Sequence, residues 1–147
     1  METISLDTAI IITGISKRTL WRRIAEKIIT RHGSDSRGRA TVNFDDIKPL
    51  ICIPTNDDDI ELIRESDIGN AEAQNELGQM FAAAEKFEAA TYWLRASADQ
   101  NFPDAMQNLG ACYIAGKGVQ KDENLGIMWI AKAASCGHTI ALKQMKS

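Results

Sequence analysis

The chain is 147 residues long with a formal net charge of −3, and 44% of its residues are hydrophobic. That length gives two small domains just enough apolar content to fold. The three cysteines, Cys52, Cys112 and Cys136, are odd in number and lack Cys-x-x-Cys spacing. This excludes a disulfide framework and predicts buried thiols in a reducing compartment. Met1 to Thr13 has no basic start, and its longest wholly apolar run is Ala9 to Ile12. No secretory leader and no membrane association are therefore expected, and the expected location is cytoplasmic.

Ser5-Leu6-Asp7 opens a short helix through Ala9, Ile10 and Ile12. Thr13-Gly14-Ile15-Ser16 then makes a tight turn, with glycine where a left-handed residue is convenient. Ser16 caps a second helix from Lys17 to about Lys27. Leu20, Ile24 and Ile28 fall on one face of that helix and are expected to pack inward, while Lys17, Arg18, Trp21, Arg22 and Ala25 fall on the other. From Lys17 to Arg39 there are eight basic residues against two acidic ones, whereas residues 51–147 hold eight basic and fourteen acidic. A basic surface suited to a polyanion, attached to an acidic body, is the reading of that asymmetry.

Ile28-Ile29 and Ala40-Thr41-Val42-Asn43-Phe44 are strand-compatible and flank a polar loop from His32 to Arg39, with Arg37 and Arg39 at or near its tip. Phe44-Asp45-Asp46-Ile47 begins a last short helix that tolerates Pro49 in its first turn, and Pro54 opens a linker. These residues, above all Gly14-Ile15-Ser16 followed by Arg18-Thr19-Leu20, resemble the MerR/excisionase-type winged helix-turn-helix over roughly Ile4 to Ile51. The loop at the wing is longer than in the excisionase-like forms. The resemblance implies a bacterial DNA-binding domain, here residues 1–54, that reads double-stranded DNA. Ser16, Lys17, Arg18, Thr19 and Arg22 then face base edges or phosphates, and Arg37 and Arg39 track the flanking backbone or minor groove. Arg18 and Arg22 suit bidentate contacts, Ser16 and Thr19 suit phosphate, and Arg23 adds sequence-independent attraction. Trp21 either joins this surface or packs beneath the wing.

After the linker, Asp57-Asp58-Asp59 with Ile60, Leu62 and Ile63 reads as a capped helix to Ser66, its carboxylates facing the helix dipole and not a metal. Ala73-Gln74-Asn75-Glu76-Leu77-Gly78 is answered 32 residues later by Ala105-Met106-Gln107-Asn108-Leu109-Gly110, and Ala141-Leu142-Lys143-Gln144-Met145 begins again after a further 36. Trp93 and Trp129 are also 36 apart. Such periods belong to two-helix repeats, and apolar residues at helical spacing give each unit two amphipathic helices. Gly78 and Gly110 recur mid-helix, where glycine costs roughly 1 kcal/mol relative to alanine, so a close approach of the Trp-bearing second helix is expected.

The Ala-x-x-x-Leu-Gly motif, the loop Gly116-Lys117-Gly118-Val119-Gln120-Lys121-Asp122, and Trp129-Ile130-Ala131-Lys132-Ala133-Ala134 followed by Gly137 resemble the Sel-one-like repeat, a relative of the tetratricopeptide hairpin, from Gly69 to about Met145. The first unit departs from the pattern with a shorter loop, Ala82 to Lys86, and with Ser97 where the second has Ala133. A mainly α chain is thus expected: a small winged helix-turn-helix domain followed by a short array of α-α hairpins over residues 55–147, with Thr139 to Lys146 closing it. Families with this repeat serve as adaptors and scaffolds.

Catalysis has little support. His32 and His138 lack companions at metal or triad spacing, and Gly110 to Gly118 misses the phosphate-loop spacing. No enzyme activity, cofactor or metal is expected. The leading expectation is a DNA-binding transcriptional regulator whose repeats bind a protein partner or form a homodimer. The alternative is a protein–protein adaptor whose winged helix does not bind DNA.

Overall fold

The computed structural model describes residues 2–137 and 139–146, excepting the side chains of 139–141 and 144. His138 lies outside the described residues. The molecule is mainly helical, a small N-terminal α/β region being followed by stacked helix pairs. It divides into two compact units, Met1–Ile60 and Glu61–Ser147.

In the first unit, β1 (Thr3–Ser5) leads directly into α1 (Leu6–Thr13). Ser5 caps that helix by accepting from the Thr8 amide at 3.1 Å, and Gly14, at φ 72°, ends it. Only a residue tolerant of the left-handed region closes the turn so tightly. Ser16 then caps α2 (Lys17–Ala25), which stops earlier than the periodicity predicts. Lys27 turns left-handed at φ 63°, so the helical register does not carry as far as Ile28. Ile28 is 62% exposed and Ile29 takes the inward place at 1%, which corrects the expected Leu20, Ile24, Ile28 stripe.

Two antiparallel strands follow, β2 (Arg31–Ser34) and β3 (Ala40–Asn43), in a sheet of order β1-β3-β2. Ile4 pairs with Val42 across β1 and β3, and Arg31 with Val42 across β2 and β3. The sequence places the first wing strand at Ile28-Ile29; it lies instead at Arg31–Ser34, inside the expected loop. The connection therefore shrinks to the residues around Asp35. Phe44 leaves the strand to begin α3 (Phe44–Ile47), capped by Asn43, with a 3-10 turn Lys48–Leu50 carrying Pro49 in its first turn. Ile4, Leu6, Ala9, Ile12, Leu20, Ile29, Val42, Phe44 and Ile47 are buried and form the core.

The turn between β2 and β3 is built on one carboxylate. Asp35 Oδ1 accepts from the amides of Arg37 and Arg39, each at 2.9 Å, while Oδ2 accepts from Arg39 Nε at 2.8 Å. Gly38, at φ 77°, lets the chain reverse. The Arg39 amide, with the Arg37 amide and the Arg39 charge, holds the Asp35 carboxyl below its ordinary value.

Helix α4 (Asp57–Asp67) begins with a reciprocal cap: the Asp59 amide donates to Asn56 Oδ1 at 2.9 Å and the Asn56 amide to Asp59 Oδ2 at 3.0 Å. The acidic triplet fills its first turn, and the cap is Asn56. Pairs α5 (Ala71–Ala83) with α6 (Phe87–Ala98), and α7 (Pro103–Ala115) with α8 (Glu123–Ser135), follow; α9 is Thr139–Lys146. Gly69, Asn101 and Gly137 all have positive φ, at the 32- and 36-residue spacings of the repeat, and close each second helix. The first pair turns tightly through left-handed Glu85, as its shorter loop requires.

The recurring glycines do mark close approach, although the Trp side chains are not what they admit. A Cβ on Gly110 would stand 2.7 Å from the Gly126 carbonyl oxygen and 2.8 Å from Ile130 Cγ1; one on Gly126 would stand 2.7 Å from the Gly110 oxygen. A Cβ on Gly78 meets mainly the Leu94 side chain, at 2.8 Å. Leu94, Ala98, Ala105, Met106, Leu109, Tyr113, Trp129, Ile130 and Ala133 form the core that this contact allows. The indole nitrogens of Trp93 and Trp129 are buried without a hydrogen-bond partner among the described residues.

Two predictions follow from these contacts. Gly110→Ala gains helix propensity yet overpacks a backbone oxygen, so it destabilises by about 1–3 kcal/mol in denaturant unfolding. Gly78→Ala meets the buried Leu94 side chain at 2.8 Å and the Ala90 carbonyl oxygen at 3.1 Å, so it destabilises too, but less than Gly110→Ala because the backbone contact is longer. For the β2–β3 turn, a carboxyl whose folded pKa is depressed contributes fully above its unfolded pKa, and that contribution is lost as pH falls through the folded value. Protection of the Arg37 and Arg39 amides, taken relative to the intrinsic exchange rate at each pH, therefore falls in acid, and Asp35→Asn lowers it at neutral pH.

Candidate functional site

The predicted basic residues fall into two groups. Lys17, Arg18 and Arg22 are exposed on one face of α2, beside the exposed cap residue Ser16, while Arg23 is partly covered. Ser16 Oγ accepts from the Thr19 amide at 3.2 Å and donates to Thr19 Oγ1 at 3.0 Å. The Ser16 hydroxyl is thus engaged in the cap, and Thr19 keeps its own proton for an outside acceptor. Arg22 Nε lies 4.0 Å from Glu26 at the helix C-terminus, an exposed pair of the kind that contributes little and yields easily.

Trp21 is partly buried and lies beneath the guanidinium of Arg31, whose carbon is 5.3 Å from the ring centroid. The contact joins β2 to α2 and holds the hairpin against the basic helix, worth about 0.5–1 kcal/mol at such a site. Trp21 thereby packs under β2. Arg31 is absent from the nine residues singled out by sequence. Its signal is only membership of the basic run, because the strand that aims it begins three residues later than the sequence places it.

Arg37 is exposed on the turn between β2 and β3; Arg39 is not equivalent to it. Arg39 is mostly covered and its Nε is bound to Asp35, so it shapes the turn and Arg37 is the side chain that reaches outward. Lys48, on the 3-10 turn, pairs with Asp45 at 2.9 Å and Glu2 at 3.6 Å. Its hydrogen bond to Asp45 raises its pKa.

The second unit carries polar contacts between α6 or the turn after it and α5, and one from α7 back to α5. Gln100 Nε2 donates to Gln74 Oε1 at 2.8 Å, Asn108 Nδ2 to Asn75 Oδ1 at 3.1 Å, and Ser97 Oγ to the Ala71 carbonyl at 2.6 Å. The loop after α7 folds onto α6: Thr91 donates to the Gly118 carbonyl at 3.3 Å, and Gly118 lies so close to the Phe87 carbonyl that no side chain fits. Arg95 donates to the Tyr113 hydroxyl and stacks on its ring. The stretch from Gly110 to Gly118 is thus helix end and interhelix loop.

Among the described residues no cluster of three or more His, Cys, Asp or Glu side chains could hold a metal ion. No helix of the described residues is long and apolar enough to cross a membrane. The three cysteines are free, but the expectation of buried thiols is corrected: Cys136 is exposed, and Cys52 and Cys112 are half-buried. Burial pushes the Cys112 thiol up.

The repeat half has recognisable relatives. Residues 71–102 and 103–138 each match the family model described as Sel1 repeat. Among curated proteins, none matches the chain. A crystal structure of a Sel1 repeat protein from Oxalobacter formigenes is similar at 31% identity and a TM-score of 0.57, covering 59% of this chain and 26% of that one. A protective antigen present in uropathogenic Escherichia coli strains, displaying an SLR fold, is similar at 31% identity and a TM-score of 0.55, covering 60% of this chain and 20% of that one. The chain therefore spans about a quarter or less of the length of these solved relatives. With the family match and the two stacked helix pairs in register, residues 71–138 are two Sel1 repeats.

Proposed function

We propose that the chain is a non-enzymatic, DNA-binding regulator of the MerR/excisionase-like winged helix-turn-helix type, whose Sel1 repeats engage a protein. Sel1 repeats are consistent with protein–protein interaction. The observation that carries the DNA reading is the exposed face of α2, where Lys17, Arg18 and Arg22 stand clear beside a hairpin carrying Arg37. A second helix set by a tight turn, with its N-terminal half basic and outward, is the geometry that enters a major groove. In that pose Arg18 and Arg22 offer bidentate donors to guanine or phosphate, Lys17 and the Thr19 hydroxyl reach phosphate, and Arg37 reaches the flanking backbone. Ser16, Trp21, Arg31 and Arg39 support these groups by capping, stacking and shaping.

A second reading, an adaptor whose N-terminal unit docks protein, is favoured by the internal pairing of Arg22 with Glu26 and Arg39 with Asp35, which occupies part of the basic charge. Titration of duplex DNA against salt separates the two. DNA binding predicts affinity that falls steeply with salt, and an Arg18→Ala/Arg22→Ala double mutant that binds about tenfold or more weakly with a salt slope reduced by about two. Equal binding by the double mutant removes α2 as the reading helix and leaves the adaptor.

A further inference from the structure

The three side chains that receive α5 show what a helix-docking face on this array is made of. Ser97 on α6, Gln100 in the turn after it and Asn108 on α7 bond to Ala71, Gln74 and Asn75. Those three are positions i, i+3 and i+4, which share one face of α5. The repeat places the same three sites 32 residues earlier, at Glu65 on α4, Ile68 in the turn after it and Glu76 on α5. The offset is anchored by the positive-φ residues Gly69 and Asn101, and by Leu62 and Ala73, which match the buried Leu94 and Ala105. The chain just before α4, residues 51–56, forms no helix to take the part of α5, and Ile68 stands 77% exposed.

The chemistry of this open face differs from that of the filled one. Glu65, Glu72 and Glu76 line a cleft of about 240 Å³ together with Leu62, Asn70 and Ala73. None of the three carboxylates has an ion-pair partner among the described residues. The nearest cation in sequence, Arg64, is held by Glu61 at 2.6 Å. From Glu61 to Glu76 there are five acidic residues and that one basic residue. Carboxylates gathered without counter-charges repel one another, and cations set among them turn that repulsion into attraction. They do not converge on a metal: no group of three or more His, Cys, Asp or Glu among the described residues could hold one. What fits is separate cations carried on side chains, with an apolar residue between them to cover Ile68.

We infer that the α4–α5 face docks a basic amphipathic helix of a protein partner, one that presents a cation, an apolar residue three places on and a second cation directly after it. In the register that α5 uses against α6 and α7, the first cation reaches Glu65, the apolar residue covers Ile68 and the second cation meets Glu76, with Glu72 in the same cleft. The isoleucine favours burial of an apolar helix face, while the carboxylates reject acidic helices. The inference rests on the reading that the repeats engage a protein, and it names the face and the partner's chemistry. It does not depend on DNA binding.

Titration of the isotopically labelled full chain with an alanine-based helical peptide carrying one Lys-Ala-Ala-Leu-Lys run tests it. The control peptide carries Lys-Ala-Leu-Ala-Lys, which turns the leucine to the far side of the helix. The first peptide is expected to shift the amide signals of Leu62 to Glu76, less so as salt rises, and the control to bind about tenfold or more weakly. Glu76→Lys weakens the first peptide to a similar degree and gains affinity for a Lys-Ala-Ala-Leu-Glu version, a reversal that misfolding does not produce. Ile68→Ser weakens the first peptide, and Glu88→Gln, on α6, leaves its binding unchanged. Shifts centred on α7 and α8 overturn this face and leave the repeats a protein-binding array. Equal binding of the two peptides, no binding at millimolar peptide, or a Glu76→Lys variant without the reversal overturns the inference outright.

Discussion

Where α7 crosses α8, the backbone of each helix occupies the space in which the other would carry a side chain. Gly110 and Gly126 face one another across that crossing, and a Cβ on either would stand 2.7 Å from the carbonyl oxygen of the other. The local cost of glycine in a helix, roughly 1 kcal/mol at each position, is offset by the packing that the approach permits. It brings Trp129, Ile130 and Ala133 onto Met106 and Leu109 and leaves Tyr113 placed to receive Arg95 from α6. The hairpin geometry then sets the stacking of one repeat on the next, and with it which residues the ends of the array expose.

The first unit solves a different problem, the presentation of charge. Its basic residues sit on a helix only nine residues long, too short to be stable alone. Leu20 anchors that helix in the core, Ser16 caps it, Gly14 sets its entry angle, and Trp21 ties it to β2 through Arg31. Leu20 faces away from Lys17, Arg18 and Arg22, whereas Trp21 lies at the edge of their own face. The result is an anchored support with exposed cations on its outer face, and anchoring matters because a binding helix that must order on contact loses affinity.

Much of this was legible in sequence wherever a residue type has one strong structural use. Gly14 with Ser16, the paired Gly78 and Gly110, and the 32- and 36-residue offsets all announced their roles. What was not legible depended on competition between neighbours. Ile28 and Ile29 are equally apolar, and only the left-handed turn at Lys27 decides that Ile29 goes inside. The polar segment Arg31–Ser34 has no strand signature, and pairs because Val42 and its neighbours offer an edge. The strand β1 is too short to show a period. Among the candidate site residues, Arg37 and Arg39 look alike in sequence, and the Asp35 carboxylate alone separates the outward one from the structural one. Gly126 escaped notice because its partner is Gly110 and not a counterpart in the first repeat.

The central claim is that one face of the N-terminal unit reads DNA while the repeats are left free for protein. Chemical-shift mapping of the isotopically labelled chain during titration with duplex DNA bears on it most directly. The account predicts perturbations concentrated at Ser16 to Ala25 and around Arg37, with residues 71–137 unmoved. Perturbations centred on the repeats, or none at saturating DNA in low salt, would contradict it.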